Sequence, residues 1–134
     1  MASISNTLAK TETDYSRQAY QILHFAFSAA PVLFGVDKFI GLMTDWEKYL
    51  APWIVRIMGN SHGLMHVIGV VEVVAGALVW WKPRWGAHVV ALWLLGIIFN
   101  LLTYPGFYDV ALRDFGLLLG ALALGRLSIV YQKP

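Results

Sequence analysis

Four apolar stretches, each close to the length of a membrane span, restrict the chain to one class of fold. A helix needs about 20 residues to cross the ~30 Å hydrocarbon core of a bilayer. None of the stretches alternates with a period of two, which argues against a β-barrel. Backbone within lipid must satisfy its own hydrogen bonds, so each stretch is predicted to be helical. The predicted spans cover about residues 22–42, 63–81, 86–103 and 110–130.

Composition also favours an integral membrane protein. Of the 134 residues, 58% are hydrophobic and only 13% are charged, whereas a soluble domain of this size needs more charge to cover its surface. The net charge of +2 does not indicate a nucleic-acid partner. The absence of cysteine excludes disulfides and cysteine-ligated metal clusters. We therefore predict an all-α, transmembrane four-helix bundle whose principal partner is the lipid bilayer.

The segments outside the spans differ in character. Residues 1–21 are predicted to form a polar N-terminal tail, and residues 22–134 the transmembrane domain. The first apolar run could be read as a signal sequence, but it continues past Pro31, which favours an uncleaved span. Between spans one and two, "TDWEKYLAPWIVRIMGNSH" mixes apolar and charged residues at roughly helical spacing. This pattern predicts an interfacial amphipathic segment, with a structured loop as the alternative.

The distribution of lysine and arginine predicts the orientation. With four spans, both termini share one side of the membrane with the "WKPRW" loop. Most of the basic residues lie on that side, and nearly all the acidic residues near the spans lie on the other. We therefore predict cytoplasmic termini and a location in the inner or plasma membrane.

Polar side chains lie inside the spans, in the half of the bilayer opposite the termini. A lone charge there costs about 2.5–3.5 kcal/mol, so these side chains are predicted to meet one another in the bundle interior. The predicted network, which serves either as a ligand-binding site or only to fix the helices, consists of Asp37, Lys38, His66, Glu72, Asn100, Arg113 and Asp114.

Two basic residues of this network compete for the acidic ones. Lys38 or Arg113 is expected to pair with Glu72 or with an aspartate of the network, although Arg113 can also reach Asp109 one helical turn earlier. Span four offers small residues for close helix packing, spaced as Gly116-x-x-x-Gly120 and Ala121-x-x-x-Gly125.

The histidines suggest two further sites, both weakly. His62 and His66 are four residues apart on one helix face, which suits a metal ion, but the acidic partner of the helical zinc-protease motif is missing. His24 and His88 lie at similar depth in spans one and three and could ligate a haem from both sides, although such a match in depth is common by chance. Haem is therefore not favoured, and a quinone stacked on aromatic residues remains open.

Three segments, "FSAAPVLFGVDKFIGL", "GVVEVVAGALVW" and "ALRDFGLLLGALAL", resemble the DoxX-like family of small four-span membrane proteins. The resemblance extends over most of the chain from about residue 20. It implies that Lys38, Glu72, Arg113 and Asp114 are family-like polar positions. It also implies a redox role, since some members are subunits of thiosulfate:quinone oxidoreductase, while distant relatives act in membrane-protein assembly or cargo export.

The expected function is therefore that of an accessory subunit in a quinone- or sulfur-linked membrane redox complex, joined to a partner membrane protein or to further copies of itself. The sequence shows no catalytic nucleophile, phosphate loop or complete metal site, so an independent enzyme is not expected. Two alternatives remain open. One is a proton-linked carrier that uses Glu72 and Asp114, and the other is an assembly or scaffolding factor whose charges are purely structural.

Overall fold

The computed structural model describes residues 2–132, so the outermost residues of the predicted tail and transmembrane domain (Met1, Lys133 and Pro134) lie outside the described residues. Within that range the chain is all helical, as predicted. A short 3₁₀ helix, Trp46–Tyr49, follows the first α-helix. The α-helices are α1 Ala2–Ile40, α2 Pro52–Met58, α3 Ser61–Trp81, α4 Pro83–Leu102 and α5 Tyr108–Tyr131.

Four helices are long and apolar enough to cross a membrane, which supports an integral membrane protein. They are α3, α4, α5 and, within α1, the segment Ser3–Ile40. The boundaries of α3, α4 and α5 differ from the predicted spans by no more than three residues. Local signals explain where they begin: Asn60 caps α3 by accepting a hydrogen bond from the Gly63 amide, and Pro83 opens α4.

Successive long helices run antiparallel and form a ring in the order α1, α3, α4, α5. The most extensive contacts join α1 to α3 and α4 to α5. Both chain ends and the α3–α4 turn lie at one end of the bundle, called the termini end below. Residues 41–60 and the turn between α4 and α5 lie at the opposite end, called the loop end.

Helices α1 and α3 approach each other closely along several turns. A Cβ added to Gly35 would lie 2.5 Å from the Gly69 carbonyl oxygen, and one added to Gly69 would lie 2.8 Å from the Gly35 oxygen. Farther towards the termini end, a Cβ on Gly76 would lie 2.6 Å from the Ser28 oxygen. The two backbones therefore touch along a seam of small residues, as membrane helices do where no bulky side chain separates them.

The glycine spacing predicted for span four does not form such a seam. Gly116 faces open space. Gly120 and Gly125 approach only the side chains of Phe27 and His88, respectively. Gly120 and Gly125 of α5 therefore pack against aromatic rings and not against the backbone of another helix.

The described part of the predicted polar tail is helical and continuous with the first span. With 39 residues, α1 is about 58 Å long, roughly twice what a bilayer core requires. Its outer part is held at the far end of α5, where the Tyr131 hydroxyl donates to the Thr13 carbonyl oxygen at 3.1 Å and contacts the Ser16 hydroxyl. Arg17 also lies over the Tyr131 ring.

Candidate polar site at the loop end

A buried ion pair joins α1 to α3. The Lys38 Nζ lies 2.6 Å from the Glu72 Oε2, and the two side chains are only 6% and 10% exposed. Helical side chains lean towards the N-terminus of their own helix, so in this antiparallel pair the two side chains lean towards each other. Gly69 leaves room for the lysine stem, because a Cβ there would lie 3.2 Å from the Lys38 Cβ.

Two tryptophans surround this ion pair. The Lys38 ammonium lies 3.9 Å from the centroid of the Trp46 ring, a favourable cation–π distance. From α4, the Trp93 indole N–H donates to the second carboxylate oxygen of Glu72 at 3.4 Å. Both oxygens of Glu72 therefore have a donor, as a buried carboxylate requires.

Asp37, next to Lys38, holds the turn that ends α1. Its carboxylate accepts the backbone N–H groups of Leu42 and Met43 at 3.0 to 3.2 Å and the Trp46 indole N–H at 2.7 Å. Gly41, with a φ of +74°, lets the chain leave the helix. Trp46 thus contacts Asp37 through its N–H and Lys38 through its ring face, a central role that sequence reasoning missed.

Asn100 fastens the loop between α1 and α3 to the end of α4. Its side-chain oxygen accepts from the Ala51 amide at 2.8 Å, and its amide nitrogen donates to the Tyr49 carbonyl oxygen at 2.6 Å. Nearby, the Trp53 indole N–H donates to the Thr103 hydroxyl at 2.9 Å. Asn100 therefore contacts loop backbone and not the Lys38–Glu72 pair.

Arg113 and Asp114 diverge from each other on α5. Arg113 forms an exposed ion pair with Asp109, with 3.3 Å between nitrogen and oxygen, instead of reaching Glu72. Asp114 is half-buried. Within residues 2–132, Asp114 forms no ion pair. The structure therefore brings Lys38 and Glu72 together next to Asp37, whereas Arg113 lies outside this group.

A cavity of about 300 Å³ opens beside the ion pair at the loop end. Lys38 is one of the residues that line it, although the lysine side chain itself is only 6% exposed. The other lining side chains include Phe39, Trp46, Glu47, His62 and Met65. The cavity therefore combines apolar and aromatic walls with one lysine, one histidine and two acidic residues, Asp45 and Glu47.

Of the two histidines at the start of α3, His62 lines this cavity and His66 contacts two of its lining side chains. The His66 ring stacks on Phe39, with 4.7 Å between centroids, and lies edge-on to His62 at 4.4 Å. The His62 Nδ1 is 3.8 Å from a Glu47 carboxylate oxygen. Among residues 2–132, no group of three His, Cys, Asp or Glu side chains is arranged to hold a metal ion.

The two histidines considered for haem do not share a site. His24 donates through Nε2 to the Val79 and Trp80 carbonyl oxygens at 3.0 and 3.1 Å, joining α1 to the end of α3. His88 donates through Nδ1 to the Arg84 carbonyl oxygen at 2.7 Å, within α4, and its ring packs against Gly125 of α5. Each therefore has a local structural partner.

Comparisons with protein-family models, curated proteins and solved structures find no significant match for this chain. The geometry at the loop end is therefore the main basis for proposing a function.

Proposed function

We propose that the chain is a small integral membrane subunit of a redox complex and that its loop end forms part of a quinone site. The observation that carries this proposal is the buried Lys38–Glu72 pair beside a cavity that Lys38 helps to line. An ammonium has three N–H donors. One is used by Glu72, and the ammonium also lies against the Trp46 ring, which leaves donor capacity for the carbonyl oxygen of a ligand.

The cavity walls suit the ring of a quinone. A quinone head group is planar and apolar on its faces, with oxygen acceptors at its edge. Phe39, Trp46 and Met65 supply apolar contact, and His62 supplies a second polar group at the rim. A volume of about 300 Å³ is at the lower end for small-molecule sites and suits a single ring.

The loop itself supports placement of this site at the membrane surface. Residues Trp46–Met58 form two short helices that are fastened to α4 through Asn100. Trp53, Ile57 and Met58 are exposed, as an interfacial amphipathic segment requires. In this proposal the segment lies on the bilayer and a quinone enters the cavity from the lipid.

The charge distribution and the family resemblance support the remaining parts of the proposal. The excess of lysine and arginine at the termini end favours cytoplasmic termini in an inner or plasma membrane. Lys38 and Glu72, two positions of the DoxX-like resemblance, form the central contact of the site. Arg113 departs from this arrangement, because it is exposed. A redox subunit also needs a partner membrane protein or further copies of this chain.

The direct test is to purify the protein from its native membrane, extract the bound lipids and quantify quinone per chain. The wild-type protein is expected to retain quinone in a near-stoichiometric amount. Lys38→Met is expected to lose it. His62→Ala should weaken binding without affecting the fold, because the His62 side chain is 74% exposed.

Arg113→Gln is the matched control, since it removes a cation that is exposed and outside the cavity. It should bind quinone like the wild type. A wild-type protein that carries no quinone and does not take it up in nanodiscs would overturn the proposal.

A structural role for the charges is the second candidate, because buried side-chain nitrogen and oxygen atoms of the described residues all have hydrogen-bond partners. An assembly or scaffolding factor needs an interior whose buried polar atoms are all hydrogen-bonded, and it needs no ligand. Neutralising both partners at once, as Lys38→Met with Glu72→Gln, should then preserve cellular function. Loss of function in a folded double variant would exclude this candidate.

A further inference from the structure

The termini end carries a surface that the proposed quinone site does not use. It consists of the α3–α4 turn, residues 80–85, and is called the turn surface below. Its three tryptophans, Trp80, Trp81 and Trp85, are 65%, 75% and 66% exposed. Lys82 and Arg84 lie between them in the sequence. Exposed tryptophans are enriched at the level of the lipid head groups, which is where a tight turn between two spanning helices lies.

The turn surface has an unbalanced positive charge. Residues 80–85 contain no acidic side chain, and neither Lys82 nor Arg84 forms an ion pair with any residue in the range 2–132. Lys82 lies over the Trp81 ring, with 5.7 Å to the centroid. The two basic side chains are therefore available to an anion from outside the protein.

A third cation lies next to this surface. The Arg84 amide donates to the Gln132 side-chain oxygen at 2.7 Å, which ties α4 to the end of α5. Arg17 of α1 lies over the neighbouring Tyr131 ring, 5.8 Å from its centroid. The nearest acidic residues on α1, Glu12 and Asp14, are exposed and lie farther along the helix, away from the bilayer. The charged side chains of the turn surface itself are therefore all basic, with Arg17 beside them.

The backbone at the start of α4 is already occupied. The Arg84 amide is bonded to Gln132, and the amides of Trp85 and Gly86 are bonded to the Lys82 carbonyl oxygen. An anion must therefore be bound by the Lys82 and Arg84 side chains. Next to them on α4, Val89 and Leu92 expose apolar side chains, which suits a ligand with acyl chains.

We propose that the turn surface binds an anionic phospholipid, with the head-group phosphate between Lys82 and Arg84 and the acyl chains along the exposed face of α4. The tryptophans fix the depth of the turn, and the two cations select the head group. Lysine and arginine near an anionic bilayer surface each contribute about 1 kcal/mol, which corresponds to about fivefold in affinity for each charge.

The test compares retention of phosphatidylglycerol and phosphatidylcholine by the full chain in detergent, measured by native mass spectrometry. The wild type is expected to prefer phosphatidylglycerol. The Lys82→Gln/Arg84→Gln variant should lose about fivefold of this preference for each charge removed. Lys82→Arg/Arg84→Lys should keep it, because the charges remain.

The matched control is Lys48→Gln/Arg56→Gln, which removes two exposed cations from the loop end and should not alter the preference. Equal loss in both neutralised variants would mean that total charge alone attracts the lipid and would overturn the proposal. A wild type that retains both lipids equally would do the same. Displacement of phosphatidylglycerol by millimolar inorganic phosphate would show a phosphate site without lipid specificity, which also overturns it.

Discussion

Lys38 reaches Glu72 across the crossing of α1 and α3, with 2.6 Å between Nζ and Oε2. The contact forms because the two helices touch through Gly35 and Gly69, which brings side chains of both helices into one interior space. The same lysine is among the residues that line the loop-end cavity. Helix packing therefore positions the charge on which the proposed site depends.

Removal of one partner of this pair should destabilise the protein strongly. Lys38→Met or Glu72→Gln leaves a group that has lost its counter-ion in a buried setting, and breaking such a pair costs about 3–5 kcal/mol. The double variant should recover much of this loss, so the two effects should not add. Unfolding in mixed micelles would measure the free energies.

Arg113→Gln is the control for that cycle, because its ion pair with Asp109 is exposed and such pairs contribute about 0–1 kcal/mol. If Lys38→Met and Arg113→Gln changed the unfolding free energy equally, the interior placement of Lys38 would be wrong.

Replacement by alanine should have opposite effects on stability at a glycine inside the α1–α3 seam and at a glycine outside it. Gly69→Ala puts a methyl group 2.8 Å from the Gly35 carbonyl oxygen, and relieving that overlap should separate the helices at a cost of about 1–3 kcal/mol. Gly116→Ala adds a methyl group where nothing lies within 4 Å, and alanine is the better helix former. Thermal unfolding in detergent should show a lower midpoint for Gly69→Ala and an unchanged or higher one for Gly116→Ala.

The sequence predicted the number and approximate limits of the spans because hydropathy reports directly which segments bury apolar groups in lipid. It did not predict that α1 begins before the apolar run, since a polar helix outside the bilayer carries no hydropathy signal. This outer part of α1 is attached through Tyr131, which is more than 100 residues away in the sequence. The contact results from the packing of α1 against α5.

Sequence reasoning could predict an ion pair in the interior of the bundle, because a charge inside a span needs a partner. Sequence reasoning could not choose between Lys38 and Arg113 as the partner of Glu72, because that choice depends on the rotation of α5 about its axis. Neighbouring residues on a helix point about 100° apart, so Arg113 and Asp114 cannot both face the interior. The contacts of Trp46 depend on the turn that Asp37 stabilises. The hydropathy pattern of the spans does not specify that turn.

Asn100→Ala should release the loop without unfolding the bundle. The change removes two hydrogen bonds to loop backbone, at Tyr49 and Ala51, and Ala51 is fully buried. Amide hydrogen exchange at residues 46–58 should therefore become faster, while exchange in α3 stays as in the wild type. Thr103→Val removes the bond from Trp53 and the hydroxyl's bond to the Asn100 carbonyl oxygen but leaves the two Asn100 side-chain bonds in place, so it should have the smaller effect. Unchanged exchange at Ala51 in the Asn100 variant would contradict the anchoring role.

Tyr131→Phe should detach the outer part of α1 from α5. The hydroxyl is bonded to the Thr13 carbonyl oxygen and contacts the Ser16 hydroxyl, whereas the ring can still stack on Tyr20. A typical hydrogen bond contributes about 0.5–1.5 kcal/mol, so amide exchange over residues 3–16 should accelerate by up to about tenfold. Tyr15→Phe is the matched control, because that side chain is 66% exposed. Hydrogen exchange by mass spectrometry should separate the two variants, and equal exchange in both would mean that α1 extends as a helix without support from α5.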